Sequence, residues 1–320
     1  MMAVSVTCWA NGTMSLANAL MCIVMSFLVF GQIKLFGMGI AMLRLTSASI
    51  DRTLQTEEME QMDEKGSEVC PKSHGIEFDH VHFSYENKEI LHGISAEIPD
   101  KTTTAVIGPS GSGKTTLCNL IARFWDVDSG SVKIGGRDVR EYTLESLMEQ
   151  ISMVFQNVYL FADTIENNIK FGRPEATHAE VVEAARKACC ADFIEVLPDG
   201  YDTVIGEGGA SLSGGEKQRI SIARAMLKDA PVIILDEATA NVDPENEDRL
   251  QKAIEELTKN KTIIMIAHRL KTVRNADQIL VVDEGRIVQQ GRHEELINQK
   301  GIYADFVLGR KEAIGWKLNA

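Results

Sequence analysis

Hydrophobic and polar positions divide the chain into three stretches of different character. Residues 1–33 carry no charged side chain, and within them the run LANALMCIVMSFLVFGQI is long enough to cross a bilayer. Charge returns at Lys34 and Arg44, which favours a cytoplasmic exit. The pattern predicts a membrane span at about 15–33. A signal peptide and a buried soluble helix are the alternatives, although the N-terminus lacks the basic start that is typical of signal peptides.

The second stretch is polar and mostly acidic. Residues 51–69 read DRTLQTEEMEQMDEKGSEV. A charged run of this kind is usually a solvated face, so we assign it no chemistry. We expect a long helix to extend from the span to about residue 60, which would make 1–60 one membrane-associated region, and a linker to occupy 61–74.

From Gly75 onward, short β-rich runs alternate with helical patterns. The runs VIIL (232–235) and TIIMIA (262–267) are apolar at every position, as in strands that are buried on both faces of a parallel sheet. This alternation predicts an α/β fold with a parallel-sheet core over 75–310, followed by a tail at 311–320.

The composition of the chain argues against some classes of function. Hydrophobic residues make up 44% of the 320 residues, which is enough for a sizeable core. The net charge of −13 argues against a general nucleic-acid binder, which needs a basic face. The six cysteines form no C-x-x-C pair and show no zinc spacing.

A phosphate-binding loop is the clearest motif. The segment GPSGSGKT follows the apolar strand TAVI and precedes a helical pattern, which is the context that the motif G-x-x-x-x-G-K-[ST] requires. Backbone N–H groups of such a loop wrap phosphates, the lysine approaches the β- and γ-phosphates, and the threonine hydroxyl binds Mg²⁺. The expected ATP contacts are Gly108, Pro109, Ser110, Gly111, Ser112, Gly113, Lys114, Thr115 and Thr116.

Several polar residues follow predicted strands and supply the remaining chemistry. Asp236 ends VIILD and is suited to hold Mg²⁺, and Glu237 comes next as a candidate general base. His268 ends the predicted strand TIIMIAH and Gln156 ends ISMVFQ, at the carboxyl ends of strands where ligands of α/β sheets bind. His268 is placed to reach the γ-phosphate, and Gln156 to touch the metal or the attacking water. Tyr85 precedes the loop and is a candidate for stacking on adenine.

Taken together, these motifs resemble the ATP-binding cassette of ABC transporters over about residues 75–305. Tyr85, GPSGSGKT, VFQ, LSGGEKQR, ILDEAT, NVD and IAHR occur in the order and at the spacings of that family, and LSGGEKQR is its signature sequence. The pattern GYDTVIGEGGASLSGG is similar to the exporter type. The resemblance implies a P-loop cassette with a small antiparallel β part and a helical subdomain. The intact Glu237 implies that the site can hydrolyse ATP.

The resemblance also implies how the site is completed. Two cassettes would meet head to tail, so that Ser213, Gly214 and Gly215 of one chain face the γ-phosphate on the loop of the other. Asp243 would lie at the dimer seam, and Gln156 in the loop that senses the membrane domain. The implied partner is a second half-transporter, identical or different. The implied location is the cell membrane, with the cassette in the cytoplasm and in contact with membrane lipid.

One departure from the exporter pattern leaves alternatives open. Exporters carry about six spans before the cassette, whereas this sequence has room for one span and part of another. We therefore expect the C-terminal part of a half-transporter, with an ATPase fragment without transport of its own as an alternative. An importer subunit fits the apolar N-terminus poorly. A DNA-repair ATPase would carry long coiled coils between the loop and the signature, whereas Gly108 and Leu212 of this chain are only 104 positions apart. The cargo stays open.

Overall fold

The computed structural model describes residues 2–57, 66–209, 211–236, 244–267 and 273–308, with the backbone alone over 244–247. The chain divides into two compact units, Met1–Gln61 and Met62–Ala320. Three candidate site residues, Glu237, Asp243 and His268, lie outside the described residues.

The first unit consists of two helices joined by a turn. Helix α1 spans Met2–Ala10, and Gly12 adopts φ +72° in the turn that follows. Helix α2 spans Leu16–Glu57 without a break. Its 42 residues extend about 63 Å at the usual rise, about twice the hydrocarbon thickness of a bilayer. By length and composition α2 is able to cross a membrane, and the predicted span and its extension form one continuous helix.

A six-stranded sheet forms the centre of the second unit. Its strands lie in the order β10-β9-β3-β8-β7-β6, and all neighbours are parallel except β10, which runs antiparallel to β9. The central strands are buried on both faces, as their continuous apolar runs predict. The bounds are Thr103–Ile107 for β3, Ile151–Val154 for β6, Val232–Asp236 for β7, Thr262–Ile266 for β8, Gln278–Asp283 for β9 and Arg286–Gly291 for β10.

A second, antiparallel sheet has the order β2-β1-β4-β5. Strands β1 and β2 form a hairpin in which Tyr85 pairs with Lys88. The inner face of this sheet packs on the helix that follows the phosphate loop, in one apolar core. The bounds are Ile76–Tyr85 for β1, Lys88–Ile98 for β2, Ser129–Ile134 for β4 and Arg137–Asp138 for β5.

Helices complete the second unit. Three of them, α5, α6 and α8, pack on one another and form a helical part beside the central sheet, in a second apolar core. Threonine or serine caps α4, α5, α6 and α8 at their N-termini, as these residue types favour. The bounds are Lys114–Ile121 for α3, Leu144–Gln150 for α4, Ile165–Lys170 for α5, His178–Lys187 for α6, Ala191–Ile194 for α7, Gly214–Lys228 for α8 and Pro244–Leu257 for α9; further helices cover His293–Leu296 and 302–308.

Part of the segment expected as a linker is hydrogen-bonded to the rest of the second unit. The Ser67 N–H donates to Glu141 O at 2.9 Å, and the Thr143 N–H donates to Ser67 O at 3.1 Å. The Ser146 hydroxyl donates to Val69 O at 2.9 Å. Residues 66–69 are therefore part of the cassette surface rather than a free connection, a result that their polar composition does not predict.

Candidate functional site

The phosphate loop is shaped by glycines in left-handed conformations. Gly108, Gly111 and Gly113 have φ values of +149°, +79° and +104°. A Cβ at Gly108 would lie 1.9 Å from Val282 O of the neighbouring strand, so only glycine fits there. The loop therefore turns tightly beside the sheet and carries its amides close to any bound phosphate.

Lys114 begins helix α3 and folds back across the loop. Its Nζ donates to Pro109 O at 2.7 Å and to Gly108 O at 3.1 Å, and the residue is 7% exposed. Thr115 follows and is exposed. A buried ammonium group beside the amides of a helix N-terminus favours the binding of an anion. Both the positive charge of the lysine and the positive end of the helix dipole attract it.

Strand register brings Asp236 to the edge of the sheet where the phosphate loop begins. Asp236 pairs with Ile266 of β8, which in turn pairs with Val106 of β3, two residues before Gly108. Burial raises the pKa of the Cys118 thiol of α3, and the charge of Asp236 raises it further. The carboxylate is therefore close enough to the loop helix to act on it electrostatically.

Gln156 lies just beyond the carboxyl end of the edge strand. The sequence predicts a strand through Gln156, but β6 ends at Val154 and both Phe155 and Gln156 are exposed. Beyond the end of the strand, the Phe155 carbonyl accepts a hydrogen bond from the Gln218 side chain at 3.3 Å. Gln156 is thus presented from a loop at the same edge of the sheet as Asp236.

The signature residues form the N-terminus of helix α8. Ser213 is the N-cap, and its hydroxyl accepts from Glu216 N–H at 3.4 Å and donates to Glu216 Oε2 at 2.8 Å. Gly214 is exposed and Gly215 is buried. Within one chain, the hydroxyl of Ser213 is therefore engaged in a capping box, and the exposed glycine is available for close approach by another molecule.

Tyr85 ends β1 and is half-buried. Its ring lies edge-to-face against Phe83, with centroids 4.8 Å apart at 88°, and against Trp125, with centroids 5.3 Å apart at 87°. The aromatic ring proposed to meet adenine is thus held in a cluster. The contact with Trp125 joins residues 40 positions apart and has no signal in the sequence.

An aromatic groove beside Gln156 is absent from the sequence predictions. It has a volume of about 400 Å³, and its exposed rings include Phe155, Tyr159, Phe161 and Phe171. Arg224 of α8 lies over the Phe171 ring at 5.3 Å and donates to Asn168 O at 2.9 Å. The aromatic spacing in FQNVYLF is the one local signal that could have indicated it.

The residues fit a nucleotide that carries a magnesium ion. Magnesium commonly binds through one or two protein oxygens together with substrate phosphates. Thr115 and Asp236 offer a hydroxyl and a carboxylate at one sheet edge, and Gln156 adds an amide oxygen nearby. Among the described residues no group of three or more His, Cys, Asp or Glu side chains is placed to hold a metal ion.

The loop, the strand-end carboxylate and the capped signature helix together define a P-loop nucleotide-binding cassette. Residues 91–240 match the family model described as "ABC transporter". Over that range, which contains the phosphate loop and the signature helix, the chain is similar to the ABC transporter family.

Relatives of the chain are exporters. It is 51% identical over 239 residues to the ATP-dependent lipid A-core flippase of Desulfotalea psychrophila, covering 75% of this chain and 42% of the relative. It is 53% identical over 232 residues to the ATP-dependent lipid A-core flippase of Vibrio cholerae, a match that covers 72% of this chain and 40% of the relative. A solved bacterial Atm1-family ABC exporter with ATP bound matches with a TM-score of 0.78 at 36% identity, over 97% of this chain and 55% of that one. The chain spans less than half the length of these flippases.

Proposed function

We propose that this chain binds and hydrolyses ATP as the ATPase part of an exporter-type ABC transporter. The observation that carries the proposal is the alignment of Asp236 with the start of the phosphate loop through β8, together with the capped signature helix. Lys114 and the loop amides would hold the β- and γ-phosphates, and Tyr85 would stack on the base.

Magnesium, when bound, would neutralise charge on the phosphates and order their oxygens. Thr115, Asp236 and Gln156 are the residues that would hold it. Glu237 follows Asp236 in the chain and would accept a proton from the attacking water, with His268 directed to the γ-phosphate. These two roles depend on sequence position alone.

We further propose that two cassettes meet head to tail around ATP. Ser213, Gly214 and Gly215 would then contact the γ-phosphate on the loop of a partner, and Asp243 would lie at the seam. The exposed Gly214 at a helix N-terminus supports this, because it leaves amides accessible to an anion from outside the chain. The partner is a second half-transporter, either a copy of this chain or a related one.

The aromatic groove beside Gln156 supports coupling to a membrane domain. Its exposed rings form an apolar concave surface next to a loop that reaches the ATP site. A short helix of a membrane domain would bury these rings and so connect its own movement to Gln156. Helix α2 would place the chain in the cell membrane in contact with lipid, with the cassette in the cytoplasm where ATP is available.

The cargo does not follow from the cassette. The flippases named above share this part of their sequence with the chain, and in exporters the membrane spans contact the cargo. We therefore carry over the ATP-driven step and leave the transported molecule open.

The decisive experiment uses the full chain in detergent micelles. The Glu237→Gln variant should bind ATP but not hydrolyse it, and sizing chromatography with ATP and Mg²⁺ should show twice the protein mass of the nucleotide-free sample. The Lys114→Ala variant should stay monomeric because it binds no nucleotide. ATP-loaded Glu237→Gln protein that remains monomeric would contradict the head-to-tail dimer, and wild-type affinity in Lys114→Ala would contradict the phosphate-loop assignment.

A further inference from the structure

Trp125 lies against the tyrosine that we propose to stack on adenine. The Tyr85 ring contacts two other rings, both nearly perpendicular to it, which is a favoured geometry for aromatic pairs. Phe83, at 2% exposed, belongs to the apolar core, whereas Trp125 is 50% exposed. Tyr85 is therefore fixed by one buried ring and one ring at the surface.

The segment that carries Trp125 continues directly from the phosphate-loop helix. Helix α3 begins at Lys114 and ends at Ile121. The Ala122 N–H then donates to Cys118 O at 3.3 Å and the Phe124 N–H to Asn119 O at 3.0 Å, which extends the turn to the residue before Trp125. One short rigid element thus connects the phosphate-binding lysine with the ring beside Tyr85.

The turn after α3 is held in place by a buried arginine. Arg123 adopts a left-handed φ of +51°, which is unfavourable for a side chain of its size, and it is 5% exposed. Its guanidinium donates to both carboxylate oxygens of Asp126, at 2.8 and 3.3 Å, and to Tyr142 O at 3.3 Å. These contacts on either side of Trp125 fix the backbone from which its ring projects.

A second contact ties the same turn to the strand of Tyr85. The Asp128 N–H donates to His82 O at 3.0 Å, three residues before Tyr85 on β1. The backbones that carry Trp125 and Tyr85 are therefore joined independently of their rings. Truncating Trp125 would remove a ring contact and leave this backbone connection intact.

We propose that Trp125 is a positioning residue for the base of ATP. Its ring, carried by the turn after α3, holds Tyr85 of β1 in the orientation that stacks on adenine. This inference rests on the proposed ATP site, and it adds a residue that acts on the base through Tyr85 and leaves phosphate binding unaffected.

The test compares a ligand that has a base with one that lacks it. Binding of ATP and of inorganic tripolyphosphate to the full chain is measured by calorimetry in EDTA, which prevents hydrolysis. Trp125→Ala should weaken ATP binding about threefold to tenfold, which is the change expected from the loss of one aromatic pair. Binding of tripolyphosphate should be unchanged. Trp125→Phe keeps a ring and should restore most of the ATP affinity.

A double-mutant cycle shows whether Trp125 acts through Tyr85. In the Tyr85→Ala background, Trp125→Ala should cause no further loss of ATP affinity, because the ring that it positions is gone. If Trp125→Ala lost affinity equally for ATP and for tripolyphosphate, the proposal would be overturned, because the loss would indicate a general disturbance of α3. Unchanged ATP affinity in Trp125→Ala, or an additive loss in the double variant, would overturn it too. Wild-type protein that binds neither ligand would instead contradict the proposed ATP site itself.

Discussion

Gln218 of the signature helix donates from its side-chain amide to the backbone carbonyl of Phe155, the residue immediately before Gln156. Gln218 is 5% exposed and Phe155 is exposed, so the donor side of this hydrogen bond is buried. It connects the helix proposed to contact the partner's ATP with the loop proposed to contact the chain's own magnesium. The two halves of the site are thereby joined within one chain.

We expect Gln218→Leu to loosen the Gln156 loop. The substitution removes the donor of this hydrogen bond, and a bond of this kind contributes about 0.5–1.5 kcal/mol of net stability. Hydrogen exchange of the full chain should accelerate at amides 156–161 and stay unchanged in β3. Gln251→Leu is the matched control, because the bond that Gln251 donates within the described part of the chain is an exposed one to Glu255. Slow exchange in Gln218→Leu would show that the loop is held by other contacts.

Gly108→Ala should abolish ATP binding. The added methyl group would lie 1.9 Å from Val282 O, so the loop must shift away from the sheet. Gly136→Ala provides a control at another glycine of positive φ, +80°, with no atom within 4 Å of the new methyl group. The control should cost only about 1–2 kcal/mol of stability and bind ATP normally. ATP calorimetry distinguishes the two variants, and normal binding by Gly108→Ala would refute the loop geometry.

Ser213 caps helix α8 and, by our proposal, also contacts the partner's nucleotide. Substitutions can separate these two roles. Ser213→Ala should lower stability by about 1 kcal/mol and also weaken the ATP-driven dimer of the Glu237→Gln variant. Ser213→Asn keeps a helix cap and should affect the dimer alone. Thr177→Ala breaks a similar capping box on α6, far along the chain from the signature, and should affect stability alone. Thermal unfolding and sizing chromatography report the two effects, and an intact dimer in both Ser213 variants would argue against the cross-chain contact.

Thiol reactivity tests whether the two apolar cores of the second unit are closely packed around their cysteines. Burial raises the pKa of Cys118 and of Cys190, so at a given pH a smaller fraction of each is thiolate, the reactive form. Cys70 is exposed. Iodoacetamide at pH 8 followed by peptide mass spectrometry should label Cys70 readily and leave Cys118 and Cys190 unlabelled until denaturant is added. Labelling of Cys118 in the native protein would show that α3 packs more loosely than described.

Local sequence patterns determined the elements that depend on neighbouring residues. Apolar runs predicted β3, β7 and β8, because strands buried on both faces have no polar side to display. The glycine-rich loop was also evident, since phosphate turns need particular residue types at fixed positions. The uncharged N-terminus predicted a long helix, and α2 is continuous over the predicted span and beyond it.

Contacts between distant residues were decided only by the tertiary structure. Strand order placed β8 between β3 and β7, and that order alone brings Asp236 level with the phosphate loop. Packing also decides three other contacts: Ser67 with Glu141, Gln218 with Phe155, and Trp125 with Tyr85. None of these pairs leaves a periodic or compositional signal, because each depends on where two separately specified elements pack. The sequence thus determined which chemical groups the protein carries, and packing determined which of them meet.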